Sequence, residues 1–87
     1  MNELDKLVKK FLRKPPEVLF KDVTKVLKAF DYKERPSGGG SHRVFVKPGH
    51  RPKIVPTIRG RRVKRAYVEM IINNLELEEW YEKQHGA

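Results

Sequence analysis

Cysteine is absent from this 87-residue chain, and with it any disulfide framework or thiolate metal site. Long apolar runs are absent as well. No stretch approaches the ~20 residues a membrane-spanning helix needs, and the N-terminus lacks the apolar block and small-residue cleavage site of a secretory signal. The expectation is a cytoplasmic protein with no membrane partner. Apolar residues are only 38% of the chain and mean hydropathy is −0.71, which allows one modest core in one small domain. No internal repeat or low-complexity segment is visible.

Acidic residues are scarce where bases are dense. The chain has 20 Lys and Arg against 11 Asp and Glu, a formal net charge of +9. Residues 1–30 carry a net +4, residues 31–65 a net +9, and residues 66–87 a net −4. Positive charge concentrated in one segment is the footprint of a polyanion partner, most often nucleic acid.

Periodicity outlines the elements. Leu4, Leu7, Val8, Phe11 and Leu12 recur at helical spacing over 3–13, and Pro15-Pro16 stops that helix. Leu19, Val23, Val26, Leu27 and Phe30 line a second helix over 18–30, where Asp22 with Lys25 reads as an exposed charge pair. The period then shortens. YKERP (32–36), RVFVK (43–47) and KIVPTI (53–58) read as short strands of an antiparallel meander, with PGHRP (48–52) as a turn. RGRRVKR (59–65) is a basic entry to a last helix with Val68, Ile71, Ile72 and Leu75 on its buried stripe. After Asn73-Asn74 the phase slips, so the helix bends there or its last turns pack elsewhere.

The predicted fold is therefore α+β: a three-stranded antiparallel sheet packed on helices. Residues 1–14 form an extra N-terminal helix, 15–76 the domain and 77–87 an acidic helix end. Without the first helix the order is α-β-β-β-α, that of double-stranded-RNA-binding domains, which read A-form RNA by shape, 2′-hydroxyls and phosphates.

One segment carries chemistry. Gly38, Gly39 and Gly40 precede Ser41 and His42, at the start of a predicted strand. Glycines let a backbone approach a phosphate closely, because no Cβ intervenes. Histidine suits proton transfer, since its unperturbed pKa of about 6.5 keeps both forms accessible. Gly39, Gly40 and Ser41 are candidate phosphate donors, and Arg43, Lys47 and Arg59 candidates for stabilising charge on the phosphate. Lys53, Arg61, Arg62, Lys64 and Arg65 are further candidate RNA contacts. Tyr32 is one candidate for a second proton-transfer group. His50 falls in a turn and His85 near a fraying terminus, and the histidine spacing matches no metal motif.

GGSHRVFVKPG (39–49), then IVP (54–56), RGRRVK (59–64) and AYVEMIINNLE (66–76), resembles the HicA toxin family. The upstream PPEVLFKDVTKVLKAFDYKE (15–34) is similar to that family's first core helix and strand. The resemblance covers roughly residues 15–76. It implies a ribosome-independent mRNA interferase of a type II toxin–antitoxin system, with a double-stranded-RNA-binding-like fold and no cofactor. His42 falls on the family's catalytic histidine, mRNA is the implied substrate, and a HicB-type antitoxin is the implied partner. The chain departs from the family pattern after Pro56, where many members carry a histidine and this sequence has Thr57, Ile58, Arg59 and Gly60. A non-catalytic RNA-binding module of the same fold is the competing reading. A subunit whose basic face binds an acidic protein is a third.

Overall fold

The computed structural model describes residues 2–36 and 41–86. The elements in order are α1 (Glu3–Leu12), β1 (Glu17–Leu19), α2 (Phe20–Ala29), β2 (Lys33–Arg35), β3 (His42–Val46), β4 (Lys53–Pro56), β5 (Arg62–Lys64), α3 (Arg65–Asn74) and α4 (Leu77–Gln84). The fold is α+β. The meander expected between residues 32 and 58 is the sheet β2-β3-β4, antiparallel throughout, with Arg35 opposite Val44 and Val44 opposite Ile54.

Two strands and one helix boundary depart from the sequence reading. β1 and β5 pair antiparallel as a second, two-stranded sheet, where the sequence suggested only a helix start and a basic linker. Val18 lies opposite Val63, and both are buried, Val63 between the charged Arg62 and Lys64. A two-stranded ribbon is marginal alone. Here each strand runs directly into a helix. The Phe20 N–H donates to the Arg61 carbonyl at 2.7 Å, and the Arg65 N–H donates to the Pro16 carbonyl at 2.9 Å. Those donors are the first N–H groups of α2 and α3, which have no partner inside their own helices. The ribbon therefore caps both helices, and neither Leu19 nor Lys64, at the N-cap positions, supplies a side-chain cap.

The last helix is two helices. Glu76 has φ +50°, and α4 starts beyond it, which accounts for the phase slip. Lys14 and Asp31 follow the ends of α1 and α2 with φ +53° and +72°. At Asp31 a Schellman closure is formed. The Asp31 N–H donates to Lys28 C=O at 3.0 Å and the Tyr32 N–H to Leu27 C=O at 3.0 Å.

One apolar cluster holds the layers together. Phe45 and Val55 from the sheet join Val23, Val26 and Leu27 of α2 and Val68, Ile71 and Ile72 of α3. The segments expected as an extension and a tail contribute Val8, Phe11 and Leu77 to the same core. Asp22 is buried rather than exposed, and its partner is Lys10 of α1 at 3.2 Å; Lys25 pairs with Glu3 instead. His85 is not free at a frayed end: it stacks on Tyr81 at 4.2 Å and lies 3.4 Å from the Asp5 carboxylate. Trp80 packs edge-on against Phe30. Among the described residues no helix is long and apolar enough to cross a membrane.

Candidate nucleic-acid interface and the exposed histidine

Strand alternation sorts the β2-β3-β4 residues onto two faces. Phe45 and Val55 point to the core, so Arg43, Lys47, Lys53 and Thr57 share that face. His42, Val44, Val46, Ile54 and Pro56 share the other. Ile54 is 53% exposed, and no helix covers that side at its position. His42 is the first residue of β3, exposed, directly opposite Pro56 of β4.

The strand start under His42 is pinned from behind. The Ser41 carbonyl accepts two hydrogen bonds from Thr57, one from the backbone N–H at 2.8 Å and one from Oγ1 at 3.0 Å. Thr57 is buried, so its hydroxyl gains little from water and uses this carbonyl as its partner. Thr57 thus holds the backbone next to His42. Gly39 and Gly40 lie outside the described residues.

A tight turn follows at once. Ile58 pairs with Arg62, and the Arg61 N–H donates to Ile58 C=O at 3.0 Å. The central residues Arg59 and Gly60 have φ +52° and +69°, the signs a type I′ turn requires. Glycine takes such angles freely, whereas arginine is strained by ~1–2 kcal/mol. Arg59, Arg61 and Arg62 are all exposed on this turn, at the His42 end of the sheet. No acidic residue occurs in the sequence between Glu34 and Glu69, but Glu17 of β1 lies 3.8 Å from the Arg62 guanidinium. The nearby N-terminus of α2 adds the positive end of a helix dipole.

The remaining candidates lie elsewhere. Arg43 turns to the core face, ion-pairs with Glu34 and lays its guanidinium 4.6 Å from the centre of the Phe20 ring. Its charge is engaged on the side opposite His42. Lys47 and Lys53 sit at the far end of the sheet, over Tyr32. Tyr32 is buried there, about five strand residues from the level of His42, or about 17 Å. It is therefore no proton-transfer partner for His42. Burial raises the Tyr32 hydroxyl pKa above its ordinary value. Lys64 and Arg65 lie at the opposite end of the β1–β5 ribbon, where Lys64 faces Glu17. Among the described residues, no group of three His, Asp or Glu side chains is placed to hold a metal ion.

The structure thus brings together Ser41, His42, Arg59, Arg61 and Arg62, and separates Lys47 with Lys53 and Lys64 with Arg65 into two further basic regions. Sequence reasoning missed Thr57. Its position opposite the residue before His42 follows from the strand register, which sequence spacing alone does not fix.

No protein-family model, curated protein or solved structure matches the chain.

Proposed function

We propose that the protein is a metal-independent endoribonuclease of the HicA toxin kind, with His42 as its catalytic residue and mRNA as its substrate. The observation that carries this reading is one exposed histidine on a pinned strand start, at the same sheet end as a turn that presents Arg59 and Arg61, with Arg62 ion-paired to Glu17. The succession α2-β2-β3-β4-α3, interrupted only by the three-residue β5 before α3, supports a fold like that of double-stranded-RNA-binding domains.

RNA supplies its own nucleophile. His42 as general base takes the 2′-hydroxyl proton, and the 2′ oxygen bonds to the adjacent phosphorus. The bond from phosphorus to the 5′ oxygen breaks, leaving a 2′,3′-cyclic phosphate, and water protonates the departing oxygen. A positioned base contributes ~10²–10⁴-fold. Arg59 and its neighbours stabilise the added charge on the phosphate in the transition state. A HicB-type antitoxin is the partner that neutralises the enzyme in this reading.

The test is cleavage of a long mRNA in EDTA by the wild type and His42→Ala. Cutting by the wild type alone is the expected result; equal cutting by both refutes the role of His42. The non-catalytic RNA-binding module remains the second reading, favoured by the lack of a histidine in the segment Thr57 to Gly60 that follows Pro56. Binding by both proteins with cutting by neither would establish it.

A further inference from the structure

We propose that the turn end of the β2-β3-β4 sheet is a separate phosphate subsite for an RNA backbone, built from Lys47, Lys53 and His50 around the ring of Tyr32. The proposal rests on the RNA reading but not on cleavage.

The turn itself is rigid. Pro48 and Gly49 occupy its centre, Gly49 has φ +80°, and the His50 N–H donates to Lys47 C=O at 3.1 Å. Proline followed by a positive-φ glycine is the pattern of a type II turn. It fixes three basic groups around one ring. The Lys47 and Lys53 ammonium nitrogens lie 5.6 and 5.8 Å from the Tyr32 centroid, and the His50 ring meets it edge-on at 6.2 Å. Both lysines are half-buried. Among the described residues neither has a carboxylate within ion-pair distance. The adjacent Glu34 is engaged by Arg43. Tyr32 also lines an open cleft of about 490 Å³ with Lys28, Lys33, Asp31 and Glu34.

The two ammonium groups approach one ring and repel each other. The ring's negative face offsets part of that cost. An anion between them offsets the rest. Lysines bind phosphate as point charges rather than as a fork, so a lone phosphate is held weakly. A strand already bound at the His42 end presents its next phosphates at high effective concentration. The separation along β3 is about 17 Å. At about 3.4 Å per stacked nucleotide it corresponds to roughly five nucleotides. Lys47 and Lys53 project to the face opposite His42, so the bridging strand wraps the sheet end and its path is longer than that separation.

The experiment measures RNA binding by fluorescence anisotropy over a salt series, in the His42→Ala background so that no RNA is cut. Lys47→Gln/Lys53→Gln keeps the stems packed on Tyr32 and removes the charges. For a single strand of about 20 nucleotides, the slope of log K against log salt falls by about 0.7, because the protein then neutralises one phosphate fewer. Lys47→Arg/Lys53→Arg restores it. For a strand of about four nucleotides, the slope is unchanged by the substitutions. An unchanged slope with the long strand overturns the subsite, as does a fall that the arginine pair fails to restore. Inorganic phosphate, at matched phosphate concentration, leaves the His50 ring proton resonances unmoved while the long RNA shifts them; an equal shift by phosphate reassigns the site to a small phosphate ligand. A wild type that cuts RNA, with an unchanged slope, refutes the subsite and leaves the nuclease reading standing. A reduced slope with no cutting by the wild type does the reverse.

Discussion

Arg59 offers a test in which stability and activity move in opposite directions. Its φ of +52° at the first central position of the Ile58–Arg61 turn is one that asparagine or glycine normally fills. Holding an L-residue there costs ~1–2 kcal/mol. Arg59→Gly removes that strain but gives the unfolded chain more freedom, worth ~0.4–1 kcal/mol in the other direction. The net expectation is a gain of about 1 kcal/mol, or a rise in Tm of about 4–8 °C for a domain of this size. Losing one cation from the Arg59, Arg61 and Arg62 cluster acts in the same direction.

The proposed chemistry predicts the opposite for activity. If the Arg59 charge stabilises the phosphate during attack, its removal slows cleavage by about 10²-fold, the order seen when one charge-stabilising donor is lost. Thermal unfolding followed by circular dichroism gives the first number, and initial rates on one RNA give the second. Glu76→Gly is the control. Glu76 also has positive φ, +50°, but lies between α3 and α4, so Tm rises and cleavage does not change. A fall in Tm for Arg59→Gly refutes the strain argument. A rise in Tm with undiminished cleavage leaves the turn geometry intact and removes Arg59 from the mechanism.

Two further substitutions address how the site is held and what the far end of the sheet contributes. Thr57→Val keeps the backbone bond to Ser41 and deletes the one from Oγ1; unfolding in urea should show a loss of about 1 kcal/mol, and cleavage should fall by more than the unfolded fraction explains because the strand start beneath His42 is loosened. Burial raises the Tyr32 pKa, so the folded state holds that proton more tightly than the unfolded state. The corresponding stability is fully present below the unfolded value of about 10 and is lost as pH rises through the higher folded value. Tyr32→Phe should flatten the alkaline loss of stability above about pH 10, and an identical pH profile in the two proteins would contradict it.

The parts of the fold set by apolar period were legible in the sequence. The stripe from Leu4 to Leu12, the stripe from Val23 to Phe30 and the three strands around Val44 all stand close to where period and β-branching put them. The β1–β5 ribbon was not legible, for a physical reason. Each of its strands has three residues and one buried valine, too few to show alternation, and what holds them is backbone bonding between residues more than forty positions apart. The helix ends were hidden for a related reason. Lys14, Asp31 and Glu76 take the left-handed angles that glycine usually marks, so the expected punctuation is missing.

The charge reading failed differently, because it counted residues without assigning faces. Positions 42, 43 and 47 are close in sequence, yet period-2 alternation sends Arg43 and Lys47 to the side opposite His42. That alternation was visible in RVFVK once Phe45 was taken as core. With Arg43 engaged by Glu34, Arg62 by Glu17 and Lys47 at the Tyr32 end, the charge available near His42 comes from Arg59 and Arg61 of the turn. Overall net charge therefore overstates the field at the proposed reaction centre and understates how far apart the basic regions lie. If RNA engages both ends of the sheet, affinity and turnover draw on different residues. Substitutions at Lys47 and Lys53 then weaken binding of long strands, while Arg59 and His42 set the rate of cutting once a strand is bound.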